Sequence, residues 1–137
     1  MNRSPLNIAL WIAQILLALA FGFFGVMKAT GDLAAMQQMM TWIASVPAMF
    51  VRAIGVAEIL GAIGMILPSA TRVMPKLTPL AAAGFATIQV LAMAMHAMRG
   101  ETGQTIGLNV PLLALSLFVM WGRGRKLPIA GRSATPA

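Results

Sequence analysis

Long apolar stretches separated by short polar ones organise this chain. No charged residue occurs from Ser4 to Met27, from Leu77 to Met98, or from Thr102 to Gly122. A membrane-spanning helix needs roughly 20 mostly apolar residues, so three stretches qualify outright. A fourth, Pro47–Leu67, qualifies despite Arg52 and Glu58 within it. The expected spans are 6–27, 47–67, 77–98 and 107–122. They leave no room for a second domain, and residues 1–126 read as one four-span unit.

Local punctuation marks the ends of these spans. Pro5 stands where a first helical turn begins, and Ser45-Val46-Pro47 offers a cap followed by proline. Pro68 ends the second span, Leu77-Thr78-Pro79 opens the third, and Asn109-Val110-Pro111 opens the fourth. The Pro/Ser/Gly-rich stretch 127–137 reads as a disordered cytoplasmic tail. Segment 33–46 differs from the spans. Leu33, Met36, Met40, Ile43 and Pro47 recur at helical spacing with Gln37, Gln38, Thr41 and Ser45 off that stripe, predicting a short amphipathic helix in the interface with Trp42 at headgroup level. The fold class is all-α, an integral membrane four-helix bundle with this interfacial helix between the first two spans.

Composition narrows the chemistry. Charged residues make up only 9% of the 137 residues and hydrophobic ones 59%, whereas an average soluble domain is about 25% charged. The absence of cysteine excludes disulfide scaffolds, thiolate zinc sites, iron–sulfur clusters and thiol redox chemistry. No P-loop, dinucleotide fingerprint, HExxH or GxSxG is present, so no metal site and no cofactor is evident. Met36, Met39, Met40, Met93, Met95 and Met98 read as adaptable packing rather than metal ligands.

The net charge of +7 is mainly a topology signal rather than a nucleic-acid signal. Arg3, Arg72, Lys76, Arg123, Arg125, Lys126 and Arg132 fall on one side of a four-span arrangement, and Lys28, Arg52 and Arg99 on the other. Positive residues favour the cytoplasm, which places both termini there, against anionic lipid headgroups.

Within the hydrocarbon, Glu58 stands out. It lies roughly 16 Å into its span at 1.5 Å per residue, and an acid at that depth must be paired, protonated or facing water. It marks either a functional site or a buried pair that fixes helix register. Gln14, Phe21, Gly25 and Lys28 share one face of the first span, Gln89, Met93 and His96 one face of the third, and Asn109, Leu113 and Ser116 one face of the fourth. These faces predict a polar pocket of Lys28, Glu58, Gln89, His96 and Asn109. Arg52 is a possible charged partner, although it points about 120° from Glu58 on the same helix. Ala53, Ala57 and Gly61, with Ala18, Gly22, Gly25 and Ala29, predict close helix packing through small residues.

The same residues carry a family resemblance. Phe23-Phe24-Gly25-Val26-Met27-Lys28, the stretch from Pro47 to Gly61 with Arg52, Gly55, Glu58 and Gly61, Leu77-Thr78-Pro79, His96, Arg99-Gly100-Glu101 and Asn109 together resemble the DoxX-like family of small four-helix bacterial membrane proteins. The resemblance runs from about Leu10 to Arg123. It implies a bacterial inner-membrane location, with Arg52 and Glu58 as the family's membrane-embedded charged pair and Lys28 and His96 as associated positions. Some relatives are described as membrane subunits of a thiosulfate:quinone oxidoreductase and others as membrane partners of oxidative-stress enzymes. Two functions follow as expectations: a non-catalytic membrane partner or anchor of a redox or stress complex, or a quinone- or small-solute-binding protein in which Glu58 and His96 transfer protons. The chain alone is not expected to be an enzyme.

Overall fold

The computed structural model describes residues 4–132. Its order is α1 (Pro5–Thr30), α2 (Leu33–Met36), a 3₁₀ turn (Thr41–Ser45), α3 (Ala48–Thr71), α4 (Leu77–Met98), α5 (Thr102–Trp121) and a π turn (Gly122–Lys126). The four long helices are each long and apolar enough to cross a membrane. They run up-down-up-down, with α1 against α3, α3 against α4, α4 against α5, and α5 back against α1. One end of the bundle carries Pro5, Thr71, Leu77 and Trp121, here called the terminal end. The other carries Thr30, Ala48, Met98 and Thr102, here called the lid end.

The predicted apolar faces divide as a bilayer protein requires. Large apolar side chains such as Leu19, Phe23, Leu60, Leu80 and Leu91 stand exposed around the bundle, where lipid is as favourable a neighbour as another helix. Inside, Leu17, Phe21, Met65, Ala82, Phe85 and Leu112 form an apolar middle layer. Phe21 and Phe85 stack at its centre, ring centroids 3.8 Å apart and 7° from parallel.

Several boundaries differ from the sequence reading for identifiable reasons. Ser4 does cap α1, its side chain accepting from Asn7 N–H at 3.2 Å with Pro5 next in line. Pro68, however, does not end the second span. It lies buried inside α3, which continues to Thr71. A helical proline leaves the carbonyl four residues earlier without its N–H; that carbonyl, on Gly64, instead accepts from Thr78 Oγ1 at 2.8 Å. The Thr78 hydroxyl also meets Ser69 Oγ at 2.7 Å. Pro111 is likewise internal, and α5 begins at Thr102. Ser45 caps nothing: Pro47 occupies the α3 N-cap, and Ser45 Oγ accepts from Arg99 Nη1 at 2.6 Å.

Segment 33–46 is not one amphipathic helix. It is a single α turn capped by Asp32, whose carboxylate accepts from Ala34 N–H at 3.0 Å, then a bend, then the 3₁₀ turn. Breaking the helix turns Trp42 inward. Met36, Trp42, Ile43 and Val51 form a second buried cluster, with Leu33 and Met40 packed on its edge. The segment is thus a lid over the end of α1. At the terminal end, residues 127–132, part of the stretch read as a disordered tail, run irregularly, and Arg132 N–H donates to Arg72 O at 2.9 Å. Residues 133–137 and Arg3 lie outside the described residues.

Close packing of α1 and α3 rests on small residues: Gly25 and Ala29 of the predicted α1 set lie at the contact, whereas on α3 the residue that meets them is Gly55, and Gly61 packs on Phe85 of α4. Ala53 and Ala57 face outward. Gly55 instead meets Gly25: a Cβ added at Gly55 stands 2.5 Å from Ala29 N and 2.7 Å from Gly25 O. Backbone cannot retreat cheaply, so Gly55→Ala is expected to cost about 1–3 kcal/mol. Gly84→Ala, whose Cβ meets nothing within 4 Å, is expected to be neutral or slightly stabilising. Thermal unfolding of the two variants in detergent compares them directly.

Candidate functional site

Gly25 and Gly55 let α1 and α3 approach closely enough for their polar residues to meet. Glu58, 2% exposed, lies one turn beyond Gly55 on α3, and its Oε1 accepts from Lys28 Nζ at 2.8 Å. Lys28, 9% exposed, lies near the C-terminus of α1 and reaches back towards the bundle centre. The rings of Trp42 and Phe24 stand 5.8 and 6.0 Å from its ammonium. The membrane-embedded acid is therefore closed as an ion pair beneath the lid.

Arg52 does not join this pair. Its Nη1 donates to Gly31 O at 2.8 Å and to Lys28 O at 3.2 Å. These are carbonyls that a helix C-terminus leaves without partners, and a cation there also suits the helix dipole. Arg52 thereby holds the end of α1 and, through it, the backbone of Lys28.

His96 also lies elsewhere. Its Nδ1 is 3.0 Å from Glu101 Oε2 at the lid end. Glu101 Oε1 accepts from Arg99 Nε at 3.0 Å and from Thr41 Oγ1 at 2.8 Å, and Arg99 Nη1 reaches Ser45 Oγ. These side chains clasp the 3₁₀ turn of the lid to the α4–α5 connection. The hydrogen bond from His96, then those from Thr41 and Arg99, hold the Glu101 carboxyl down to about 2, well below the ordinary 4.5.

Gln89 and Asn109 occupy the buried faces of α4 and α5 as expected. Gln89 Oε1 and Asn109 Nδ2 are buried with no hydrogen-bond partner. Asn109 also lines a cavity of about 160 Å³ with Met93, Ala97, Thr102, Thr105 and Ile106. The predicted five-residue pocket thus resolves into three parts: the Lys28–Glu58 pair, the Gln89 and Asn109 amides, and the His96–Glu101 clasp.

The Arg52/Glu58 spacing on α3 and the polar faces of α1, α4 and α5 now have their geometry, and the family profile coincides with them. The sequence profile of the DoxX-like family matches residues 12–119. The chain belongs to the DoxX-like family. No curated protein and no solved structure matches it. The matched region of this DoxX-like protein takes in Lys28, Arg52, Glu58, Gln89, His96 and Asn109 and stops short of Arg123.

One buried charged group escapes the sequence reading. Arg123, which its position assigns to the cytoplasmic face, is 3% exposed, and its Nε donates to Gln14 Oε1 at 2.7 Å. Gln14 Nε2 in turn donates to Met65 O at 2.6 Å, linking the π turn, α1 and α3. The available signal was Gln14, an amide on the inward stripe of α1 that needs a partner.

Two outcomes follow. Glu58→Gln leaves a buried ammonium without its counter-charge and is expected to cost about 3–5 kcal/mol, whereas joint Lys28→Met and Glu58→Leu replacement is expected to recover most of that loss; denaturation in detergent of single and double variants separates coupling from additivity. Because Glu101 is held low in the folded protein, the stability its ionised form contributes is present above 4.5 and is lost as pH falls through about 2. Amide protection of residues 41–45 should therefore survive at pH 3 and collapse below pH 2, and in Glu101→Gln it should be weak at every pH.

Proposed function

We propose that this DoxX-like protein is a non-catalytic membrane partner or anchor of a redox or oxidative-stress complex. The closed Lys28–Glu58 pair carries this reading. A proton relay needs a carboxyl that exchanges protons with a donor or with water. Here the acid is bonded to an ammonium under Trp42, and His96 is engaged by Glu101 in a separate network. The arrangement favours a rigid scaffold. On the lid, Gln37, Gln38 and Met39 project outward, Met39 at 73% exposure.

We place the protein in the bacterial inner membrane with both termini cytoplasmic. Arg72, Lys76, Arg123, Arg125, Lys126 and Arg132 gather at the terminal end, whereas the lid end carries Lys28, Arg52 and Arg99 with Asp32 and Glu101, and positive residues favour the cytoplasm. In this orientation the lid faces away from the cytoplasm and is the surface on which a partner docks.

A second reading, quinone binding, draws on a different observation: the unpartnered Gln89 Oε1 and Asn109 Nδ2. An amide N–H suits a ring carbonyl and an amide oxygen suits a ring hydroxyl. In that reading these two amides, rather than Glu58 and His96, meet the ligand.

Purification from native membranes in mild detergent, with mass spectrometry of the copurifying proteins and small molecules, tests both. The first reading expects a stoichiometric redox or stress-response enzyme that is lost on Met39→Glu; recovery of no stoichiometric partner counts against it. Copurified quinone that disappears in Asn109→Leu would shift the assignment to the second.

A further inference from the structure

We infer that Arg123 seats a phosphate-type oxyanion at the terminal end of the bundle. An arginine at a helix end normally snorkels, burying its stem and keeping its charge in water or among headgroups. Arg123 does the opposite. Its backbone lies in the π turn, whose widened hydrogen bond runs from Leu127 N–H to Gly122 O at 2.6 Å, and its side chain turns into the bundle to Gln14. Gln14 is itself oriented by its bond to Met65 O, so the guanidinium is held in a fixed place, 5.6 Å from the centre of the Trp11 ring.

The charge held there has no counter-charge among the described residues. The three acidic residues all belong to the lid end: Asp32 caps α2, Glu58 is paired with Lys28, and Glu101 is in the clasp. Arg123 meets only neutral acceptors. Nη1 has a long 3.3 Å contact to Leu127 O, and Nη2, buried, has no partner. A buried cation in this condition is costly. Its two terminal nitrogens form the planar fork that accommodates two oxygens of one phosphate.

An oxyanion bound to that fork supplies Nη2 with its missing acceptor and replaces the poor Leu127 carbonyl at Nη1. The irregular stretch after Lys126 is the part of the chain that gives way. Exposed Arg125 and Lys126 beside it draw anions to this end. A phospholipid headgroup and a free phosphate anion present the same chemistry to the fork.

The test uses the full chain in a maltoside detergent, with thermal unfolding read against added phosphatidylglycerol, diacylglycerol of the same acyl chains, or inorganic phosphate at constant ionic strength in chloride. Phosphatidylglycerol, phosphate or both should raise Tm by about 5 °C at roughly tenfold over the Kd, and diacylglycerol should not. A response to phosphatidylglycerol alone assigns the lipid headgroup, and a response to both assigns the anion itself. Arg125→Gln/Lys126→Gln should keep the response, and Arg123→Gln should lose it. Should Arg123→Gln fail to fold, Gln14→Glu decides: a carboxylate against Nε supplies the counter-charge internally, raising the Tm of the lipid-free protein and abolishing the anion response. No response in the unaltered protein, or an undiminished response in Arg123→Gln or Gln14→Glu, overturns the inference.

Discussion

The rest of the structure depends on one constraint: an acid buried between these helices needs a base on a neighbouring helix. Lipid supplies none, and the unmet cost is several kcal/mol per group. The Lys28–Glu58 pair is where the constraint acts. For Nζ and Oε1 to stand 2.8 Å apart, α1 and α3 must approach until Gly25 and Gly55 nearly touch, and the C-terminus of α1 must stop where Lys28 reaches back to Glu58. Arg52 fixes that stopping point by binding the carbonyls of Lys28 and Gly31. The lid then covers the pair with Trp42. Pair, glycine contact, helix cap and lid are consequences of a single charge placed inside a bundle.

A backbone carbonyl has a similar need at Pro68. Pro68 opens a gap in the hydrogen-bond ladder of α3, and Thr78 on α4 fills it at Gly64 O. A helix-breaking residue thereby becomes a helix–helix bond. Sequence reasoning treats proline as a boundary because it considers one helix at a time; the repair comes from the next helix and is visible only when the two are packed.

That difference also separates what could be read in advance from what could not. The four spans, the inward faces of α1, α4 and α5, and the burial of Glu58, Lys28, Gln89 and Asn109 follow from spacing, because a helix of known period places residues on known faces. The partner of each residue does not follow. His96 and Glu58 share a predicted interior, yet His96 turns to Glu101 five residues away, where the α4–α5 turn brings an acid within reach. Arg52 shares a helix with Glu58 but faces a helix end. Ala53 and Ala57 obey the small-residue spacing yet face outward, while Gly55, inward like Glu58, meets Gly25, and Gly61 meets Phe85. Trp42 was expected at headgroup level because the helix carrying it was assumed continuous. Arg123 was hidden for a related reason. Its burial depends on Gln14, more than a hundred residues away in sequence.

The two buried charged groups are also insulated from each other. Gln14 and Arg123 lie at the terminal end, Lys28 and Glu58 towards the lid, and between them stand Leu17, Phe21, Met65, Phe85 and Leu112 with the Phe21–Phe85 stack at the centre. Proton or ion movement from one polar layer to the other would have to cross that apolar layer, whose ring faces offer no hydrogen-bonding atom. A ligand at either layer therefore arrives from the nearer membrane surface. This favours two independent one-sided sites over a continuous path through the bundle. It also explains why the layers are balanced differently. The lid layer holds its own acid against its own base, whereas the terminal layer, at the end richest in Lys and Arg, carries a cation and, among the described residues, no carboxylate.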